Sequence, residues 1–294
     1  MSTEFVIEAN VSKKILFEAL DLAKEFEAKY SAYKEDSLVS KINNLSGVEG
    51  VVCTPKEIEI FQKSLEIAEL SKGLFDPTIG ALTQGLYGFG KKTAKIPKPQ
   101  ELQNTKKLVN FKNLQISNNE VFLTQKGMKL DLGGIGKGYI ADKIINFLQQ
   151  KGATKALVSA GGEIVTLGKE YHVALKNPFE EGNSGIFITT KSPLSISTSG
   201  DYERYIGSKE HHHILHAATA KPNHYYSSLT LIQNGHNATL LDGVTTIAYN
   251  SHKESLKKLA QRFGVAIIAI TPDKEIYFEN FSQLDLKSFE IYPF

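Results

Sequence analysis

Apolar residues recur along this chain with two distinct periods. In residues 12–30, Ile15, Leu16, Leu20, Leu22, Ala23 and Phe26 stand among Lys and Glu with the spacing of an amphipathic helix. Thr54-Pro55-Lys56-Glu57 opens a second helix: Thr caps, Pro fits the first turn, and the Glu carboxylate reaches back. Ile58, Phe61, Leu65 and Ala68 form its apolar stripe, and Gly73 is placed to end it. A third helix is predicted over 139–150, closed by Gly152. A fourth starts at Ser251, where Glu254 completes a capping box and Gly264 supplies the stop. Segments 156–160, 173–175, 186–190, 229–232, 265–270 and 275–278 read as strands.

Helices and strands are mixed without a regular βαβ alternation, which predicts an α+β fold rather than a doubly wound sheet. No internal repeat is visible, and the polar stretches 91–106 and 177–185 read as loop excursions, so the expectation is one domain over 1–294. The 34 Lys and Arg against 32 Asp and Glu leave a net charge of +2, with no basic stripe to serve a nucleic-acid partner. Apolar runs reach about six residues, far short of a membrane span, and the first ten residues do not read as a leader. Cys53, the only cysteine, excludes an internal disulfide and a multi-cysteine metal site. Beside Val51 and Val52 it reads as a small buried hydrophobe in preference to a reactive thiol.

The most informative stretch runs from Lys129 to Gly138, where an apolar strand end meets four glycines and a lysine just before a helix. Glycines admit backbone amides close to an anion, the helix start adds favourable dipole, and Lys137 adds a full charge, so a phosphate or pyrophosphate ligand is expected. A Walker loop fails, because Asp131 and Gly138 occupy its glycine and Ser/Thr positions. A dinucleotide fingerprint fits Gly136, Gly138 and Ala141 but lacks its acidic strand end, Glu163 lying too far along. A turn with no ligand is the bland alternative.

Asp242 and Thr246 stand four apart, a carboxylate and a hydroxyl on one helix face. Mg²⁺ accepts such sparse oxygen ligation; a capping Asp with a core-facing Thr is the plainer reading. Among His211, His212, His213 and His216, zinc binding lacks acidic partners nearby, and a single histidine beside a phosphate is the favoured functional use.

Taken in order, these motifs resemble the ApbE-type FAD:protein FMN transferases over nearly the whole chain. Met1-Ser2-Thr3 is similar to the family's M-G-T, and Ser31-Ala32-Tyr33 with Ser37 and Asn43 to its S-x-Y segment. Gly73-Leu74-Phe75-Asp76-Pro77-Thr78 resembles G-x-F-D-P-T, Asp131 to Gly138 with Asp142 the glycine-rich signature, and Ser159-Ala160-Gly161-Gly162 the N-x-G-G segment. Thr198-Ser199-Gly200 with Tyr202, Glu203 and Arg204 resembles T-S-G-x-Y-E-R, and Asp242 to Thr246 resembles D-A-x-x-T. One segment departs: where the family reads H-I-L-D-P-x-T-G-x-P, this chain has His213-Ile214-Leu215-His216-Ala217-Ala218-Thr219-Ala220-Lys221-Pro222. With Ala220 in place of glycine, that turn is expected to take another path.

The resemblance implies a T-fold-like single domain with an antiparallel sheet around an FAD cleft. It also implies Mg²⁺-dependent transfer of FMN from FAD to a Thr or Ser hydroxyl of a target flavoprotein, releasing AMP. Mg²⁺-dependent FAD hydrolysis to FMN and AMP and a non-catalytic FAD binder are the alternatives. Carried over by position, Asp242, Thr246 and the Gly134 carbonyl hold Mg²⁺, and Asp131 and Lys137 hold FAD and its pyrophosphate. Met1, Tyr33, Leu74, Phe75, Asp76 and Leu215 contact the nucleotide or flavin, and His213 and Asp242 are the candidate catalytic pair. The implied partner is a flavin-bearing subunit of a membrane redox complex. The compartment stays open between cytoplasmic, as the chain stands, and periplasmic or lipoprotein-anchored if a leader was removed. Asp242-Gly243-Val244-Thr245 also resembles the clients' D-G-x-T acceptor motif, although it coincides with the metal segment.

Overall fold

The computed structural model describes residues 4–292. It divides into two compact units: the first holds residues 25–136 and 201–223, the second the residues up to 24, 137–200 and those from 224 onward. The helices are α1 (Lys13–Tyr30), α2 (Leu38–Asn44), α3 (Pro55–Leu70), α4 (Pro99–Lys106), α5 (Gly136–Gln150), α6 (Ala238–Tyr249) and α7 (Lys253–Phe263).

The second unit is built on a seven-stranded sheet whose spatial order is its chain order: β1 (Phe5–Ala9), β2 (Ala156–Ala160), β3 (Glu163–Leu167), β4 (Leu194–Gly200), β5 (Ser228–Asn234), β6 (Ala266–Ile270) and β7 (Ile276–Glu279). All neighbours are antiparallel. Period-two alternation gives the sheet two uses. On β4, Leu194 and Ile196 join Val173, Leu175 and Phe187 of a small sheet, formed by His172–Lys176, Asn183–Thr189 and Leu286–Ile291, in one apolar core. The alternate residue Ser197 instead meets α6, its hydroxyl 2.9 Å from that of Thr245. The β2–β3 hairpin turns at Gly161, with φ +70. At Gly162 a side chain would lie 2.4 Å from the Thr198 carbonyl, so only glycine lets these strands approach.

The first unit carries α2, α3, α4, a π-helical turn at Ala81–Leu86 and a three-stranded sheet of Val51–Val52, Leu114–Ser117 and Glu120–Leu123. Buried Leu82, Tyr87, Phe89, Leu102, Leu215 and Ala220 form a core cluster there. The α3 start is as the sequence predicts: Thr54 N–H donates to Glu57 Oε2 at 2.7 Å while Glu57 N–H donates back to Thr54 Oγ1 at 3.4 Å. Cys53 is buried, and burial pushes its thiol up to about 11, the behaviour of a packing residue.

The antiparallel α+β expectation is met, with local corrections. The 91–106 stretch is not all loop; α4 occupies its end, with Lys98 N–H donating to Glu101 Oε2 at 2.8 Å. The last helix is capped at His252 rather than Ser251, whose hydroxyl donates to the Ile247 carbonyl at 2.7 Å and so belongs to the end of α6. Strands β1, β3 and β4 were not anticipated.

Helices α5 and α6 meet at glycine. A side chain on Gly138 would fall 2.0 Å from the Ala238 carbonyl and 2.9 Å from Asp242 Cβ. Gly138→Ala is therefore expected to destabilise the protein by about 1–3 kcal/mol through overpacking, read as a lower midpoint in urea; an unchanged midpoint would show the helices free to part.

Candidate functional site

Lys137 opens α5 and its ammonium sits between two buried carboxylates, 2.9 Å from Glu163 Oε1 and 3.2 Å from Asp242 Oδ1. Asp242 Oδ2 accepts from Gly138 N–H at 2.9 Å, and Glu163 Oε1 also accepts from Ser197 Oγ at 3.1 Å. The cluster is held at both helices: Asp142 of α5 accepts from Ala238 N–H at 3.0 Å and from Thr239 N–H at 2.8 Å, capping α6 in place of its own N-cap residue. Thr246 lies one turn beyond Asp242, partly exposed. The carboxylate and hydroxyl predicted to share a helix face are thus on one helix, with Asp242 beside the lysine. Thr245, by contrast, is fully buried and donates to the Leu241 carbonyl at 2.6 Å, so the D-G-x-T resemblance is not an exposed acceptor.

Electrostatically this cluster is unbalanced, with two carboxylates facing one ammonium. Burial works against the lysine's charge, but the two carboxylates outweigh it and hold its pKa above the ordinary value. Burial and then the neighbouring Asp242 push Glu163 up to about 8. Its second oxygen, Oε2, is buried with no hydrogen-bond partner. Sequence reading passed over Glu163; the signal was an acidic residue straight after a Gly-Gly pair, opening a strand.

In the first unit, Asp131 is tied down at both oxygens, accepting from Gly133 N–H at 2.9 Å and from Thr83 Oγ1, on the π-helical turn, at 2.6 Å. The peptide before it is fixed by buried Asn43, which accepts from Leu130 N–H at 2.6 Å and donates to its carbonyl at 3.2 Å. Gly134 lies in the turn that follows, partly exposed. Asp76 accepts from Thr78 N–H at 2.8 Å and from Phe111 N–H at 2.9 Å, so its carboxylate braces two turns; burial raises its pKa against these bonds. Phe75 is buried and Leu74 partly so. Tyr33 lies under Arg204, whose guanidinium carbon is 5.8 Å from the ring centre. Met1 lies outside the described residues.

The altered segment folds as a short hairpin, Leu215 opposite Pro222 and His216 opposite Lys221. Ala220 keeps the left-handed backbone, φ +60, that glycine would favour, correcting the expectation of another path. Its amide donates to the His216 carbonyl at 2.8 Å and its carbonyl accepts from the Tyr87 hydroxyl at 3.0 Å; these bonds offset a strain of roughly 1–2 kcal/mol. His216 Nδ1 accepts from Ala218 N–H at 3.2 Å, the turn contact an aspartate makes in an Asx turn. Burial and the Lys106 charge lower the pKa of His216, keeping that nitrogen free to accept. An open cavity of about 340 Å³ lies here, lined by Gly73, Asp76, Phe111, Ala217 and Ala218, with Lys72, Lys106 and Lys112 in its walls.

His213 hydrogen-bonds through Nδ1 to the Arg204 carbonyl at 3.1 Å. A carbonyl only accepts, so Nδ1 carries the hydrogen, and Nε2 is the basic nitrogen of the neutral ring. His212 is structural: buried, it donates from Nε2 to the Asn223 carbonyl at 2.8 Å and accepts at Nδ1 from Ile214 N–H at 3.2 Å. No group of three or more His, Cys, Asp or Glu able to hold a metal occurs among the described residues.

The sequence matches the ApbE family over residues 1–269. The chain belongs to the ApbE family. It is 31% identical over 277 residues to an FAD:protein FMN transferase of Klebsiella pneumoniae (strain 342), covering 90% of this chain and 86% of that one. It is 29% identical over 285 residues to an FAD:protein FMN transferase of Treponema pallidum (strain Nichols), covering 89% and 78%. The ApbE protein of Thermotoga maritima superposes with a TM-score of 0.86 at 25% identity, covering 97% of this chain and 96% of that one. The flavin transferase ApbE from Vibrio cholerae, at 24% identity, shares the fold with a TM-score of 0.83 over 97% of this chain and 96% of that one.

Two outcomes follow for this ApbE chain. Lys137→Met leaves two buried carboxylates without their counter-ion and is expected to cost about 3–5 kcal/mol in urea unfolding; a loss under about 1 kcal/mol would show that water already reaches the pair. The raised Glu163 pKa also fixes a pH dependence. The folded protein holds a proton there that the unfolded chain releases near 4.5. That contribution is full below 4.5 and is lost as pH rises to about 8. In EDTA, stability should fall with pH across that window and Glu163→Gln should flatten the slope; an unchanged slope in this variant would assign the titration elsewhere.

Proposed function

We propose that this ApbE-family chain transfers the FMN half of FAD to a Thr or Ser hydroxyl of another protein and releases AMP, with Mg²⁺ as cofactor. The observation that carries the reading is the crowding of carboxyl groups around Lys137. Two buried carboxyl groups, Glu163 and Asp242, share one ammonium, and Glu163 Oε2 is buried with no hydrogen-bond partner among the described residues. That donor set suits a hard divalent cation, which takes carboxylate, hydroxyl and carbonyl oxygen. Asp242, Thr246 and the Gly134 carbonyl are the residues assigned to Mg²⁺, and the ion would supply neutralisation of pyrophosphate charge.

The chain's own residues do the rest. Lys137 orients the Asp242 carboxylate and adds positive charge where the pyrophosphate is assigned, and the first amides of α5 extend that field. The acceptor oxygen attacks the phosphorus on the FMN side of FAD, the bond from that phosphorus to the bridging oxygen breaks, and AMP leaves. His213 Nε2 takes the proton from the attacking hydroxyl. Tyr33, Leu74, Phe75, Asp76 and Leu215, with Asp131 and Met1, are assigned to the nucleotide and flavin, and the lysine-walled cavity beside Asp76 and Ala217 suits an anionic nucleotide. The family match spans both compact units, which supports reading residues 1–294 as one transferase domain. The acceptor assigned is a flavin-bearing subunit of a membrane redox complex; among the described residues no helix is long and apolar enough to cross a membrane.

The test incubates the purified chain with FAD, Mg²⁺ and an acceptor protein carrying a D-G-x-T segment. A flavin-fluorescent acceptor band after denaturation is expected; free FMN alone would mean hydrolysis, and unchanged bound FAD a binder. His213→Ala should slow transfer by roughly 100-fold or more, and Asp242→Ala should abolish its dependence on Mg²⁺. Wild-type rates in both variants would remove these residues from the mechanism.

A further inference from the structure

Glu163 is an expensive residue to place where it is. It opens β3 in the middle of the seven-stranded sheet, paired with Ala160 on one side and Ser197 on the other, and is 1% exposed. Glutamate is depleted in strands and is almost never fully buried unless paired. Half of its carboxylate is accounted for, since Oε1 accepts from Lys137 and Ser197. Oε2 has no hydrogen-bond partner among the described residues. A buried carboxyl oxygen without a partner, beside a second carboxylate, is an unfavourable arrangement in a dry interior unless a proton or a cation completes it. A purely structural partner for Lys137 needs only one carboxylate, and Asp242 already supplies it at 3.2 Å.

We propose that Glu163 is a second carboxylate of the cation site, with Oε2 as an oxygen donor to the divalent ion and Oε1 anchoring Lys137. This rests on the reading that Asp242 and Thr246 hold that ion. Ser197 and the close β3–β4 approach at Gly162 set the side chain's direction, so the sheet, as well as the helix, presents ligands. The class of ligand is a hard, oxygen-seeking divalent cation, and a change from carboxylate to amide at this position lowers affinity by removing charge while keeping shape.

The test uses Mn²⁺ alone as probe, titrated into the full-length chain with electron paramagnetic resonance reading the free ion, for wild type, Glu163→Gln, Glu163→Asp and Asp242→Asn. Wild type should show one site, and Glu163→Gln should weaken it by about 10–100-fold, with Glu163→Asp in between. In EDTA the Glu163→Gln protein should melt no lower than wild type, which separates lost affinity from lost fold. Wild-type Mn²⁺ affinity in Glu163→Gln, with affinity lost in Asp242→Asn, overturns this inference and leaves the Asp242 site standing. No Mn²⁺ binding by wild type overturns both. Should Glu163→Gln fail to fold, wild-type affinity in Glu163→Asp is the overturning result.

Discussion

The ammonium of Lys137 between the carboxylates of Glu163 and Asp242 is the constraint around which the second unit is organised. Burying three ionisable groups together is costly, and their mutual attraction compensates only if each is held in place. The fold supplies that holding from three directions. The first turn of α5 brings the lysine and the Gly138 amide, β3 brings Glu163, and α6 brings Asp242. Two carboxyl groups share one ammonium, so the cluster is a poor choice for stability alone.

Much of the surrounding sequence is explained by what this arrangement demands. The glycine-rich run does not use its freedom for left-handed turns; its role is close approach, most severely at Gly138, where any side chain meets the α6 backbone. Asp142 satisfies the amides at the start of α6, which fixes that helix relative to α5 one turn before Asp242. The serines of β4 are small because α6 lies against that face, and Ser197 gives Glu163 one of its donors.

What the sequence revealed follows a physical rule. Local signals were readable: the Thr54–Glu57 capping box, the helix stops at Gly152 and Gly264, and the Asp242–Thr246 spacing all depend on residues within a few positions. Glu163 was passed over because its meaning depends on partners distant along the chain, in a pair network where Lys137 and Asp242 themselves are 105 positions apart. Strand β4 was missed because Leu-Ser-Ile-Ser-Thr-Ser-Gly looks like loop composition until α6 is known to cover it. The altered loop was misjudged for a related reason. Ala220 keeps the strained backbone because distant Tyr87 bonds its carbonyl, and His216 takes over an aspartate's turn contact.

On the proposed reading, a divalent ion and the diphosphate of FAD meet at this cluster. Crystals grown with FAD and Mn²⁺, with diffraction collected at the manganese edge, test it most directly. An anomalous peak within coordination distance of Asp242 and Thr246, with the FAD diphosphate bound to it, is the predicted result. FAD bound with its diphosphate away from Lys137, and no peak at Asp242, would contradict the account.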